Sequence, residues 1–157
     1  RFYATCDNFF EYSTVKLPDF LGEGHYFIPG AKELLEDLSK KYHLYLASNG
    51  AVKVQMSRIQ SAGIEKYLEK IFLSEQIGYE KPSPQFFEKC FAQIPDFKKE
   101  EALILGDSLT SDIRGGKNAG ILTVWFHPSG KKVEEEIVPD YEIGKLEELK
   151  TILSFYS

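Results

Sequence analysis

Apolar and polar positions alternate along the chain between two kinds of pattern. Short apolar runs bounded by turn residues recur at His43-Leu-Tyr-Leu-Ala47, Ile71-Phe72-Leu73, Ala102-Leu103-Ile104-Leu105 and 121–126. Runs of this kind suit strands buried on both faces. Between them, apolar residues return at helical spacing. Ala31, Leu34, Leu35 and Leu38 share one face of a helix opened by Pro29-Gly30, with Lys32, Glu33, Glu36 and Asp37 opposite. A second helix is expected over 52–62, stopped by Gly63, and a short helical piece over 65–70. Pro84 starts another helix, reaching about 93, with Phe86, Phe87, Cys90 and Phe91 available for its buried side. Residues 76–83 read as a loop containing Gly78, Lys81 and Pro82, and 127–139 as a polar loop. A short edge strand at 141–143 and an amphipathic helix at 146–155 close the chain. Strands alternating with helices predict an α/β fold, a three-layer parallel sheet with helices on both faces.

The stretch from Ala102 to Gly120, ALILGDSLTSDIRGGKNAG, organises the rest. Its apolar run ends at Gly106, and Asp107, Ser108, Thr110, Ser111 and Asp112 follow where a helix should begin. Gly115-Gly116 are expected to loosen that helix and Gly120 to end it. Two carboxylates therefore stand where a buried strand hands over to a helix, the edge at which open α/β sheets bind ligands. Paired acids repel unless a cation lies between them or one is protonated. A hard divalent cation such as Mg2+ takes oxygen ligands of this kind. The plainer reading is that Asp107 ends a strand and Asp112 decorates the first turn of a helix.

Length and charge narrow the choice. At 157 residues the chain fits one domain with a real core. A net charge of −5 with no basic run argues against nucleic acid or an anionic membrane as partners. It also means that an anionic substrate would need a local positive group or a metal. Two cysteines, Cys6 and Cys90, are too few for a disulfide framework. No apolar run reaches the length of a membrane span and no signal peptide is visible, so a cytoplasmic protein is expected. The chain opens on Arg1, and residues 1–28 are rich in aromatics (Phe2, Tyr3, Phe9, Phe10, Tyr12, Phe20, Tyr26, Phe27) without clear periodicity.

Two further groups follow strands, and in a parallel sheet those ends share one edge. Ser48, Asn49 and Gly50 offer a hydroxyl, a side-chain amide and backbone N–H groups at a helix start, a set that can hold a phosphate oxygen or serve as an ordinary cap and turn. Lys81, followed by Pro82, could neutralise both a phosphate and a nearby carboxylate, or be simple surface. Asp107 and Asp112 complete the set. His25, His43 and His127 have no metal-site spacing, and Trp125 and Phe126 sit on a strand as core residues.

The order ASNG, YEKPSP, GDSLTSD resembles the second, third and fourth motifs of the haloacid dehalogenase-like superfamily of Mg2+-dependent phosphohydrolases. The longer strings LGEGHYFIPGA, SEQIGYEKP, GDSLTSDIRGG, AGILTVWFHP and PDYEI are similar to its pyrimidine 5′-nucleotidase branch. The resemblance implies a Rossmann-like core, Mg2+ as cofactor and a small phosphate monoester, a nucleotide, as substrate. Ser48 would bind the transferring phosphoryl, aided by the Asn49 amide and the Gly50 turn. Lys81 would hold the nucleophile and the phosphoryl oxygens. Asp107 would bind Mg2+ directly, while Asp112 orients Lys81 or a metal-bound water and Ser108 helps position that outer layer.

One motif departs from the family. Its first motif is a DxDx[TV] run whose first Asp becomes an aspartyl-phosphate and whose second is the general acid and base. No such run precedes Ser48; the nearest stretch, Thr5-Cys6-Asp7-Asn8, puts Thr where the nucleophile belongs. Residues 1–28 are expected to be the remnant of a helical cap, and 29–157 a core lacking its first strand. Sugar-phosphate or phosphoglycolate hydrolysis within the same superfamily is an alternative reading, as is a non-catalytic binding module.

Overall fold

The computed structural model describes residues 3–6, 29–130 and 136–156. Six strands, β1 (Tyr3–Cys6), β2 (His43–Ser48), β3 (Lys70–Leu73), β4 (Ala102–Gly106), β5 (Leu122–Phe126) and β6 (Tyr141–Ile143), form one sheet in the order β3-β2-β1-β4-β5-β6. Every pairing is parallel. The helices are α1 (Ala31–Ser39), α2 (Val52–Ala62), α3 (Ser74–Ile77), α4 (Pro84–Phe91), α5 (Arg114–Ala119) and α6 (Glu148–Ser154). None of them is long and apolar enough to cross a membrane.

The continuous apolar runs are explained by two cores. Side chains alternate across a strand, so β2 sends Leu44 and Leu46 to one face and Tyr45 and Ala47 to the other. In the same way β4 divides Leu103 and Leu105 from Ala102 and Ile104. The first core joins these strands to Leu34 and Leu35 of α1, Ile59 of α2 and Leu149, Ile152 and Leu153 of α6. The second joins them to Phe86, Phe87 and Cys90 of α4 and Ala119 of α5. Each large side chain so buried contributes roughly 1.5–3 kcal/mol, and the three-layer arrangement expected from the pattern is what results.

Several details differ from the expectation. The motif pattern predicts a core lacking its first strand, yet Tyr3–Cys6 lies at the centre, with Cys6 level with Leu46 on one side and Leu105 on the other. The physical reason is hydrogen bonding: an open slot between β2 and β4 would strand the facing N–H and C=O groups of both. The cap assignment for the rest of 1–28, and with it Asp7, lies outside the described residues. The expected loop at 76–83 begins inside a short helix, α3. Lys70 belongs to β3 rather than to the helical piece before it. Gly115 and Gly116 lie within α5 and do not loosen it. A Cβ at 115 would come 2.4 Å from the Phe87 ring, and one at 116 would come 2.5 Å from Ile104, so both permit close packing.

The topology sets one place apart. From β1 the chain runs outward through β2 and β3 on one side, and through β4, β5 and β6 on the other. The loops leaving β2 and β4 therefore diverge around the central strand, the switch point where such sheets form a crevice at their carboxyl edge.

Candidate functional site

Lys81 comes from the loop between α3 and α4 and turns inward at that edge. Its ammonium donates to Asp112 Oδ1 at 2.6 Å and to the Ala47 carbonyl at 2.9 Å. Neither the Lys81 nor the Asp112 side chain retains any exposure. Desolvating two charges is expensive, and mutual attraction offsets it only with close geometry and satisfied hydrogen bonds. Both conditions hold, because Asp112 Oδ2 also accepts from the Ser108 N–H at 3.1 Å.

The turn after β4 is built to admit this carboxylate. A Cβ on Gly106 would come within 2.3 Å of Asp112 Oδ2 and 2.4 Å of its Cβ and Cγ. Ser108 caps the next element, its Oγ accepting from the Ser111 N–H at 3.2 Å. That element opens as one wide π-type turn, Leu109–Ile113, before α5. Such wide turns recur at functional sites. The wide turn carries Asp112 inward. Asp107 stays exposed, and the Trp125 indole N–H holds its carbonyl at 3.0 Å. The cation answering Asp112 is thus Lys81, and Asp107 is the carboxylate left at the surface.

The loop after β2 is tied to the same lysine from the other side. Asn49 Oδ1 accepts from the Lys81 N–H at 2.8 Å, and Asn49 Nδ2 donates to the Lys81 carbonyl at 2.9 Å. The Asn49 side chain therefore grips the Lys81 main chain as a neighbouring strand would. The family resemblance implies that this amide aids a phosphoryl group; in the structure its oxygen and one of its two N–H donors are spent on Lys81. Ser48, 2% exposed, sits between the two residues that hold Lys81, and its Oγ accepts from the Gly50 N–H at 3.1 Å. Asn49, Lys81, Asp112 and Ser108 thus form one hydrogen-bonded cluster, with Ser48 next to Asn49 in the chain and Asp107 exposed in the turn after β4.

Among the described residues the other candidates for chemistry are accounted for elsewhere, and His25 lies outside those residues. His43 pairs with Glu69. His127 stacks on Trp125 and contacts Glu142 and Ser129 through its two ring nitrogens. Burial pushes the Cys90 thiol up to about 12, which makes it a packing residue and not a nucleophile. Sequence reasoning missed Gln55, a polar residue on the inward face of α2. The signal available was its spacing from Ile59 and Ala62, which places it in line with core positions.

Among the described residues, no three acidic, histidine or cysteine side chains gather as a metal cage. Mg2+ does not need one, since it commonly keeps several waters and takes one or two carboxylates. The exposed hard-oxygen donor of Asp107 fits that habit.

Comparison with known proteins agrees with this geometry. A sequence profile of haloacid dehalogenase-like hydrolases matches residues 9–126. The HAD-hydrolase YfnB of Bacillus subtilis is 44% identical over 135 residues, covering 86% of this chain and 57% of that protein. The pyrimidine 5′-nucleotidase PynA of Streptococcus pneumoniae is 39% identical over 131 residues, covering 83% and 55%. The crystal structure of YfnB bound to magnesium superposes with a TM-score of 0.83 at 45% identity, covering 85% of this chain and 59% of that one. The chain thus spans little more than half the length of the curated relatives it matches. With Asn49 and Asp112 both bonded to Lys81 at the carboxyl edge of a parallel sheet, and with these profile and sequence matches, this chain belongs to the haloacid dehalogenase-like hydrolases.

Proposed function

We propose that this chain forms the core of a Mg2+-dependent phosphatase acting on small phosphate monoesters, a nucleoside 5′-monophosphate in particular. The reading rests first on one observation: a fully buried ammonium, Lys81, fixed by the Ala47 carbonyl and Asp112 between the loops of Ser48 and Asp107. A lysine so held is a preorganised positive charge, and charge that need not reorganise stabilises a transition state most. Ser48 Oγ would donate its proton to a phosphoryl oxygen while continuing to accept from the Gly50 N–H. Lys81 would offset the charge on the equatorial oxygens. Asn49 and Asp112 would keep Lys81 in place, one by its main chain and the other by its ammonium. Mg2+ held by Asp107, when bound, would supply further electrostatic stabilisation.

In this reading the phosphoryl group passes to an aspartate and then to water. Asp112 is committed to Lys81 and Asp107 would hold the cation, so neither is assigned as that aspartate. The choice of a nucleotide follows the branch-specific strings and the similarity to PynA. A panel of nucleoside monophosphates, sugar phosphates and phosphoglycolate, assayed with Mg2+ on the protein as its gene encodes it, tests the substrate class. Preference for pyrimidine 5′-monophosphates is expected, and uniform inactivity across the panel would refute the reading. The 157-residue chain on its own is expected to release no phosphate.

A further inference from the structure

A buried side-chain amide on α2, against the Gly50 turn, goes unused among the described residues. Gln55 lies on the inward face of α2 and is 6% exposed. Among the described residues its side-chain amide has no hydrogen-bond partner. A carboxamide brings two N–H donors and an acceptor oxygen. Burying them unpaired is destabilising, and such a group in a native fold marks where a missing water or ligand belongs. A Cβ built on Gly50 would come 2.4 Å from Gln55 Nε2, 2.5 Å from Cγ and 2.8 Å from Cδ. The amide therefore occupies the space that any side chain at 50 would fill, flat against the Ser48-Asn49-Gly50 turn. Of the neighbouring groups, the Gly50 N–H is engaged with Ser48 Oγ, and the Asn49 amide spends its oxygen and one of its two N–H donors on Lys81.

We infer that Gln55 is an oxyanion-contacting residue, whose side-chain N–H donates to a phosphate oxygen bound at the Ser48–Gly50 turn. It takes the role that the motif order assigned to the amide of Asn49, which is instead a positioning residue for Lys81. The inference rests on the phosphatase reading, because it needs a phosphate at that turn.

The test combines two measurements on the 157-residue chain. Gln55→Leu and Gln55→Met replace the amide by apolar groups of similar length, and all three residues have similar helix propensity. Each variant is scanned for thermal stability and titrated with inorganic phosphate, by calorimetry or 31P NMR. The expected result is a melting temperature raised by about 2–4 °C, since a buried unpaired amide is removed. Phosphate affinity should fall by about tenfold or more with the loss of a hydrogen bond to a charged group. A lowered melting temperature with unchanged phosphate affinity in both variants overturns the inference, because the amide would then be structural. Raised stability with unchanged affinity also overturns it but leaves the phosphatase reading standing. Failure of the wild-type chain to bind phosphate at all overturns that reading, and the inference with it. Two variants guard against a packing fault peculiar to one.

Discussion

Asp112→Asn isolates the charge of the buried pair without changing its shape. The Asp112 carboxylate accepts twice, from Lys81 Nζ at 2.6 Å and from the Ser108 N–H at 3.1 Å. An asparagine has one acceptor oxygen, so one of those two donors is left facing an NH2 group. Whichever way the amide turns, the Lys81 ammonium keeps its full desolvation cost and loses its counter-charge. Removing one partner of a buried pair costs about 3–5 kcal/mol, against a total stability of about 5–15 kcal/mol for a domain of this kind. Lys81→Met is the complementary loss, leaving Asp112 charged and buried without its counter-charge. The double variant removes both charges and is expected to recover most of the stability, to within about 1–2 kcal/mol of wild type, because a buried pair is often neutral against apolar replacements. Urea unfolding followed by the fluorescence of Trp125, the only tryptophan, supplies the four free energies, provided the denaturant slope is shared. A coupling energy of at least about 2 kcal/mol is expected from the cycle. Additive single losses, or an Asp112→Asn cost under about 1 kcal/mol, would refute the claim that Lys81 and Asp112 act as one buried unit. If that unit exists for function, the double variant is stable and binds no phosphate.

Three further outcomes follow from the same geometry. Gly106→Ala would drive a methyl to 2.3 Å from Asp112 Oδ2, in a carboxylate held through both of its oxygens, so a loss of about 1–3 kcal/mol is expected together with weaker phosphate binding; an unchanged melting temperature would contradict it. Burial acts to raise the Asp140 carboxyl, but hydrogen bonds from Lys117 and Thr123 outweigh it and hold the group below the usual carboxylate range. Its stabilising contribution is therefore present above pH ~4, near the unfolded carboxyl value, and is lost as pH falls through the folded value. The gap in urea midpoint between wild type and Asp140→Asn should narrow below that pH, and a gap that widens there would reverse the assignment. Mg2+ binding by the 157-residue chain should be weak and abolished by Asp107→Asn with little change in stability, since that side chain is exposed; a calorimetric titration giving tight binding, or one unaffected by the substitution, would count against Asp107 as the metal ligand.

Much of this arrangement was legible before any coordinates. Alternation of apolar runs with helical spacing is a local property, and it located β2, β4, β5, α1 and α2 to within a residue or so. Ser48, Lys81, Asp107 and Asp112 stood out because each follows a strand, and parallel strands bring such positions to one edge. What stayed hidden was how these residues partition their hydrogen bonds. Asn49 and Lys81 are 32 positions apart, and nothing in the local pattern says that the amide spends itself on the lysine's main chain. Likewise, the local pattern reads Asp107 and Asp112 as paired acids, and separate roles come only from the family resemblance; the wide turn at Leu109–Ile113 buries one and leaves the other exposed.

Taken alone, the chain's residues determined an α/β layering and the chemical identity of the groups at one sheet edge, because burial periodicity and the residue types at strand ends are set by neighbours in sequence. Only the tertiary structure decided that Tyr3–Cys6 fills the central slot, that Lys81 is anchored from both flanking loops, and that a glutamine amide is left unspent beneath Gly50. Those outcomes depend on which distant main-chain and side-chain groups come within hydrogen-bonding distance once the layers are packed, a property of the whole fold that no window of sequence contains.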